Sequence, residues 1–215
     1  MRFVLYYLFK VILLLLLPFI FLIRGSVYLH ESYHWAPWPA IAGGIMATVV
    51  LLILYFTFIH GRWTGHLGDS GTWRRRSALA LILVLGYSLY GLLYFSNDNA
   101  KYPAVQKEYT SLHPILRLSI STILFVDKSL IVTDANRSPE DYQKMGLKTK
   151  QHSLHYPQSN GYVHAIDIRT LGRGELRNNL LSGYFQLMGL RTLRHGGTAD
   201  HLHVSLMSHD RPYAR

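Results

Sequence analysis

The chain has 215 residues, 49% of them hydrophobic, a formal net charge of +10 and no cysteine. Without cysteine there are no disulfides and no thiolate ligands, so any bound metal must be held by His, Asp and Glu. The positive charge comes with no nucleic-acid-binding pattern, so nucleic acid is excluded as a partner and the basic residues read as neighbours of anionic lipid headgroups.

The apolar residues crowd into the first half, which divides the chain in two. Three runs, Phe3 to Ile23, Ala40 to Ile59 and Ser77 to Phe95, each approach the ~20 residues a helix needs to cross ~30 Å of hydrocarbon. Residues 1–95 therefore read as a three-helix transmembrane region. A removable signal peptide is the weaker reading of the first run, because its apolar stretch is long and no small-x-small cleavage pattern follows it. The loop after the second run carries Arg62, Arg74, Arg75 and Arg76, against Arg24 alone after the first. Basic loops stay on the cytoplasmic side. This puts the N-terminus in the cytoplasm and everything after Phe95 outside, as in a multi-pass protein of the cytoplasmic (inner) membrane. Tyr33, Trp35, Trp38, Tyr94 and Phe95 read as interfacial anchors. Lys10 either snorkels toward the inner face or marks a shorter span. Gly43 and Gly44 allow close helix packing in the second run.

Residues 96–110, "SNDNAKYPAVQKEYT", read as a polar linker to a domain at 111–215. "LHPILRLSISTILFV" predicts a buried helix with Pro114 in its first turn, and "SLIVTD" a short interior strand. "NRSPEDYQKMG" predicts a helix capped by Ser138, with Pro139 at its first position, Glu140 and Asp141 at its positive end, and Gly146 ending it. "HSLHYP" and "YVHAIDI" are rich in strand formers and read as a hairpin or looped pair around "QSNG". "GELRNNLLSGYFQLMG" predicts a helix ended by Gly189, with Leu176, Leu180, Tyr184, Leu187 and Met188 as its core face. "RTLRHGG" and "DHLHVSL" read as closing strands. The order gives an α+β domain with helices packed on a mainly antiparallel sheet.

Side chains alternate along a strand, so His201 and His203 share one face while Asp200 points the other way. In "YVHAIDI" the same rule sets Asp167 opposite in facing to His164. A carboxylate between Ile166 and Ile168 is costly to bury without a cation or strong donors. His155, Asp167 and His203 supply three N/O ligands, the usual count for a catalytic zinc that keeps a position open for water. Such a zinc lowers the pKa of water and polarises a carbonyl, which is hydrolase chemistry. His195 and His209 read as ordinary surface residues.

The pieces "SLH" at 153–155, "HAIDI" at 164–168 and "HLHV" at 201–204 resemble the Ser-x-His, Ala-x-Asp and His-x-His motifs of zinc D-alanyl-D-alanine peptidases, whose fold is shared with the Hedgehog signalling domain. "TDANRSPEDY", 133–142, is similar to the segment these enzymes place before the metal motif, and the pieces fall in the family's order. The resemblance implies Zn2+ held by His155, Asp167 and His203, with His201 moving protons or stabilising the oxyanion. Arg137 takes the place of the arginine that holds the substrate, although a pairing with Asp134 is the structural alternative. Asp200 matches the acidic general base of some relatives; strand alternation favours His201 and keeps Asp200 as the second candidate. The family sets its aspartate closer to the first histidine than the twelve positions from His155 to Asp167. The extra residues must loop out, which keeps His152 and His164 as alternative ligands and offers Tyr156 and Tyr162 as walls of a substrate groove.

The implied activity is a membrane-anchored zinc peptidase acting on peptidoglycan stem peptides, as a D-Ala-D-Ala carboxypeptidase or related endopeptidase. A zinc-containing module that binds the cell wall or a partner without hydrolysis is the alternative. Besides the lipid bilayer, a membrane-protein partner for the spans is left open. A scaffold or transporter would need polar residues within the spans, and apart from Lys10 these are scarce.

Overall fold

The computed structural model describes residues 2–59, 61–62, 65, 67–144, 146, 148–149, 152–197 and 199–209; within these, the side chains of residues 2, 3, 9, 10 and 12–15 lie outside the description, and with them the reading of Lys10. The first apolar run lies within one continuous helix, α1 (Arg2–Tyr33), which carries Pro18 in its interior. Helix α2 (Pro37–Leu54) begins with proline at its first turn and runs on into a π-helical turn, Tyr55–Ile59. Helix α3 (Ser70–Leu93) starts earlier than the apolar run predicts, because the Asp69 side chain accepts a hydrogen bond from the Thr72 amide at 2.8 Å. Arg74, Arg75 and Arg76 thus lie on its first turns rather than in a loop. The stretches Pro37–Ile59 and Ser70–Leu93 are long and apolar enough to cross a membrane. The helix pair α1–α2 closes over Gly44, where a Cβ would stand 2.5 Å from the Leu22 carbonyl oxygen and 2.2 Å from Ser26 Oγ. Only a residue without a side chain admits that approach.

The stretch 96–110, expected as a linker, is packed. Asn99 is buried and donates to the carbonyls of Lys128 and Leu130, at 2.9 and 2.8 Å. The short helix α4 (Pro103–Lys107) and a 3-10 turn, Glu108–Ser111, bury Val105 and Tyr109. Helix α5 (Pro114–Val126) buries every side chain from Pro114 to Ser121. Residues of α5 and of the preceding turn cap the free carbonyls at the end of α3: Arg117 donates to Leu92 at 3.0 Å, while Tyr109 and Ser121 donate to Gly91 at 2.6 and 3.0 Å. The long apolar helices and the domain therefore share one core, in which Ile23, Val27 and Ile41 pack with Ile115, Leu118 and Phe185.

The sheet is small, four-stranded and antiparallel, in the order β1-β2-β4-β3, with β1 Val132–Asp134, β2 Ala165–Arg169, β3 Arg191–His195 and β4 His201–Ser205. Mixed helices with such a sheet agree with the α+β expectation. Helix α6 (Pro139–Lys144) opens with a reciprocal cap: the Ser138 amide donates to Asp141 Oδ2 at 2.8 Å, and the Asp141 amide to Ser138 Oγ at 3.3 Å. Gly146 follows it with φ +68°.

Two expectations are corrected. "HSLHYP" is a turn, not a strand: the Ser153 hydroxyl accepts from the His155 amide and its carbonyl from the Tyr156 amide, a local closure that competes with a ladder. It still loops back on the next segment through the His164 amide, which donates to Leu154 O. In helix α7 (Glu175–Leu187), Leu176, Leu180 and Leu187 are 75%, 66% and 54% exposed. The buried face is Asn178, Leu181 and Phe185, continued by Met188. The helix offers apolar residues on two faces, and the sheet and α5 take the one with the aromatic ring. Tyr184 lies between them, donating its hydroxyl to Ser119 O at 2.7 Å.

Candidate metal centre

Strands β2 and β4 pair in a register that sets Asp167 opposite His203 and Arg169 opposite His201. These four share one face of the sheet, as alternation requires, while Ile166, Ile168, Leu202 and Val204 fill the core behind them. The Ser153 turn then drops His155 onto the same point. His155 Nε2 stands 3.3 Å from Asp167 Oδ1 and 3.2 Å from His203 Nδ1, and His203 Nδ1 stands 2.9 Å from Asp167 Oδ1. Asp167 is 3% exposed and His155 likewise.

The hydrogen-bond partners fix what these atoms are. His155 Nδ1 lies 2.7 Å from the Ala135 carbonyl, which can only accept, so the ring proton is on Nδ1. In the neutral ring Nε2 then presents a lone pair to a carboxylate oxygen. Two acceptors at that distance repel unless a cation, or a second proton on the ring, lies between them. Ligand pairs around a tetrahedral zinc with bonds of ~2.0–2.1 Å are separated by about 3.4 Å, close to the three distances here. The donor set of two imidazoles and one carboxylate suits the same ion. His155, Asp167 and His203 thus fit a zinc site on chemistry and on spacing.

Arg137 holds the other oxygen of the carboxylate: Nη2 donates to Asp167 Oδ2 at 2.8 Å, and Nε to Asp134 Oδ2 at 2.6 Å. Its plane lies over the Tyr142 ring, 5.2 Å from the centroid. Arg137 is therefore engaged by two carboxylates and fixes the orientation of the Asp167 carboxylate, while part of it still lines the groove. Without a metal, burial pushes the Asp167 carboxyl up, but hydrogen bonds from a His155 ring that carries its second proton and from His203 outweigh it and hold the group well below the ordinary carboxylate range.

His201 Nδ1 lies 2.7 Å from the Ala199 carbonyl, so the neutral ring turns an unprotonated Nε2 toward Asp167 Oδ2, 3.8 Å away. The His195 ring, expected as plain surface, stacks on it at 4.9 Å. Asp200 is occupied otherwise: it accepts from Thr170 Oγ1 at 2.7 Å and from Arg194 Nη2 at 2.8 Å. Those contacts, Arg194 first and Thr170 second, lower its carboxyl to about 2. His152 is exposed, and His164 lies against His113 and His30, so neither joins the centre. Tyr156 sets its ring edge-on to Tyr142 at 5.9 Å, beside the turn that carries His155. Tyr162 takes a hydrogen bond from Trp38 Nε1 at 3.0 Å and lies near His113, and it is not among the residues that line the cavity.

A cavity of about 850 Å³ reaches the centre at Asp167, the one of the three converging residues that lines it, and its other walls include Glu108, Arg137, Arg169, Asp200 and His201. Sequence reasoning did not single out Glu108 or Arg169. Glu108 belongs to the stretch read as linker, and only its packing brings Oε2 to the Asn136 amide at 3.0 Å; burial pushes its carboxyl up. Arg169 is signalled by alternation alone, two places from Asp167 on the same face. Searches against models of known protein families, curated proteins and solved structures find no match for this chain.

Proposed function

We propose that this chain is a membrane-anchored zinc peptidase of the D-alanyl-D-alanine peptidase type, with the Hedgehog-like fold of that family. It is seated by three spans, with α1 providing the first, in the cytoplasmic membrane and with the groove on the outer side. The orientation rests on the arginines at 62 and 74–76, which mark the inner end of α2 and α3. The observation that carries the reading is the His155 ring. Its proton is committed to Ala135 O, and its lone pair converges with Asp167 Oδ1 and His203 Nδ1 within 2.9–3.3 Å.

When bound at these three residues, zinc would acidify water and polarise a peptide carbonyl. The protein supplies the rest. Arg137 keeps the Asp167 carboxylate turned so that one oxygen faces the two imidazoles. His201 Nε2, unprotonated in the resting ring, accepts a proton from the attacking water and returns it to the leaving amine. The groove takes a short peptide, and Arg169, opposite His201 in the ladder, is placed to pair with its C-terminal carboxylate.

The test is mass spectrometry of peptidoglycan fragments incubated with the full chain in detergent, with chelator and then with zinc restored. Chelator-sensitive loss of a terminal residue or of a crosslink supports the proposal and names the bond. No product from a folded, zinc-loaded chain would overturn it in favour of a zinc-containing module that binds cell wall without cutting it.

A further inference from the structure

A second group of three histidines lies where α1 meets the domain. His30 comes from the last turn of α1, His113 is the residue that caps α5, and His164 directly precedes β2. They are 4%, 0% and 1% exposed. Ring centroids are 4.7 Å apart for His30 and His113, 4.7 Å for His113 and His164, and 5.9 Å for His30 and His164. One nitrogen from each ring falls within 4.8 Å of the other two. Three buried imidazoles gathered from positions so far apart in the chain are costly to desolvate unless their nitrogens are used.

Two of those nitrogens have no hydrogen-bond partner: Nε2 of His30 and Nε2 of His113. For His30 the tautomer is set, because Nδ1 lies 2.8 Å from the Trp35 carbonyl and so carries the proton. Its Nε2 is a bare lone pair in the protein interior. His164 is oriented in the same manner, with Nδ1 3.2 Å from the Met207 carbonyl. A ring nitrogen tied to a backbone carbonyl, with its opposite nitrogen turned inward, is the arrangement that metal-binding histidines use. We propose that His30, His113 and His164 form a second site for a divalent metal of the zinc class, separate from the groove, which staples α1 to the domain.

Occupation asks for small, defined changes. The ligand nitrogens must draw from within 4.8 Å to about 3.4 Å, the separation set by zinc–nitrogen bonds of ~2.1 Å. His113 gives up a long contact, 3.3 Å from the Ile115 amide to Nδ1, and takes its proton there. The Asn160 amide, 2.9 Å from His164 Nε2, turns aside. Neutral imidazoles and the absence of sulfur select Zn2+, Co2+, Ni2+ or Cu2+ over Mg2+ or Ca2+.

The measurement is metal content per chain by plasma mass spectrometry, on full-length protein purified in detergent and equilibrated with Zn2+. The native sequence should hold two equivalents, His203→Ala one, His30→Gln one, and the double variant none. A His203→Ala protein with no zinc overturns the second site and leaves the first intact. A native protein whose single zinc survives His203→Ala but not His30→Gln removes the first and leaves the second. Should His30→Gln fail to fold, Co2+ titration of His203→Ala, which keeps all three histidines, decides. One equivalent with the visible bands of a nitrogen-ligated four-coordinate ion supports the site, and a flat spectrum refutes it.

Discussion

Replacing His201 by alanine should sharply slow turnover while leaving the metal in place, and replacing Asp200 by asparagine should leave both turnover and metal largely as they were. The contrast follows from where each side chain spends its hydrogen bonds. His201 commits Nδ1 to Ala199 O and leaves Nε2 free, 3.8 Å from Asp167 Oδ2. A positioned acid–base group contributes about 10²–10⁴-fold, or about 2.7–5.4 kcal/mol of barrier. His201→Ala should lose that factor in kcat. It lies at the partly exposed end of β4, so its cost in stability should stay near the ~0.5 kcal/mol typical of surface changes. Asp200 is bound to Arg194 and Thr170, and its carboxyl titrates at about 2, so at neutral pH it is too weak a base to accept much of a proton. Asp200→Asn should lower kcat by less than about tenfold and show its effect in stability. The assay is release of D-alanine from a stem pentapeptide by the full chain in detergent, with zinc content measured on the same samples. An inactive Asp200→Asn that keeps its zinc, beside a His201→Ala within threefold of the native rate, would refute the assignment.

Three further outcomes are expected. Arg137→Met leaves Asp134 and the buried Asp167 facing without their cation, which should weaken zinc affinity 10–100-fold by isothermal titration and destabilise the apo chain by about 3 kcal/mol in thermal unfolding. The depressed Asp167 carboxyl contributes stability in full above the ordinary carboxylate pKa of about 4, and that contribution drains away as the pH falls below it; acid unfolding of the apo chain should be shallower in Asp167→Asn. Along α7, Leu181→Ala and Phe185→Ala should each cost about 2–5 kcal/mol, whereas Leu176→Ser and Leu180→Ser should stay within about 0.5 kcal/mol; equal losses on both faces would contradict the packing.

The local chemistry of the centre was legible because it is written in neighbouring residues. A period of two in "HAIDI" and "HLHV" is enough to put Asp167, His201 and His203 on one side of a sheet. The twelve positions between His155 and Asp167 do not prevent their meeting, because the intervening chain doubles back at 158–162, where the Gln158 amide donates to Tyr162 O at 2.9 Å and the Gly161 amide to Gln158 O at 2.8 Å. What depends on partners was not legible. The leucines of α7 satisfy helical periodicity as well as the residues that are buried. Nothing within "KEYTSL" reveals that Tyr109 is pinned against α3 and α5 or that Glu108 meets the Asn136 amide. The cluster of His30, His113 and His164 joins three segments with no shared pattern, and His209 reaches the same corner by donating to the His30 carbonyl at 2.8 Å.

The length of α1 bears on how such a groove meets its substrate. Beyond Ile23 the helix continues unbroken for ten residues, to Tyr33, a rise of about 15 Å. Along this stretch Arg24 donates to Gln186 O, and Glu31 accepts from the Met207 amide. In a bilayer, a domain mounted on such a stilt does not sweep the space above the membrane as one on a supple leash would. Its mouth stays at one altitude and one bearing. Peptides presented at that height meet it again and again, while longer or more distant strands pass out of reach whatever their abundance. Selection by elevation would then precede any selection by side chain.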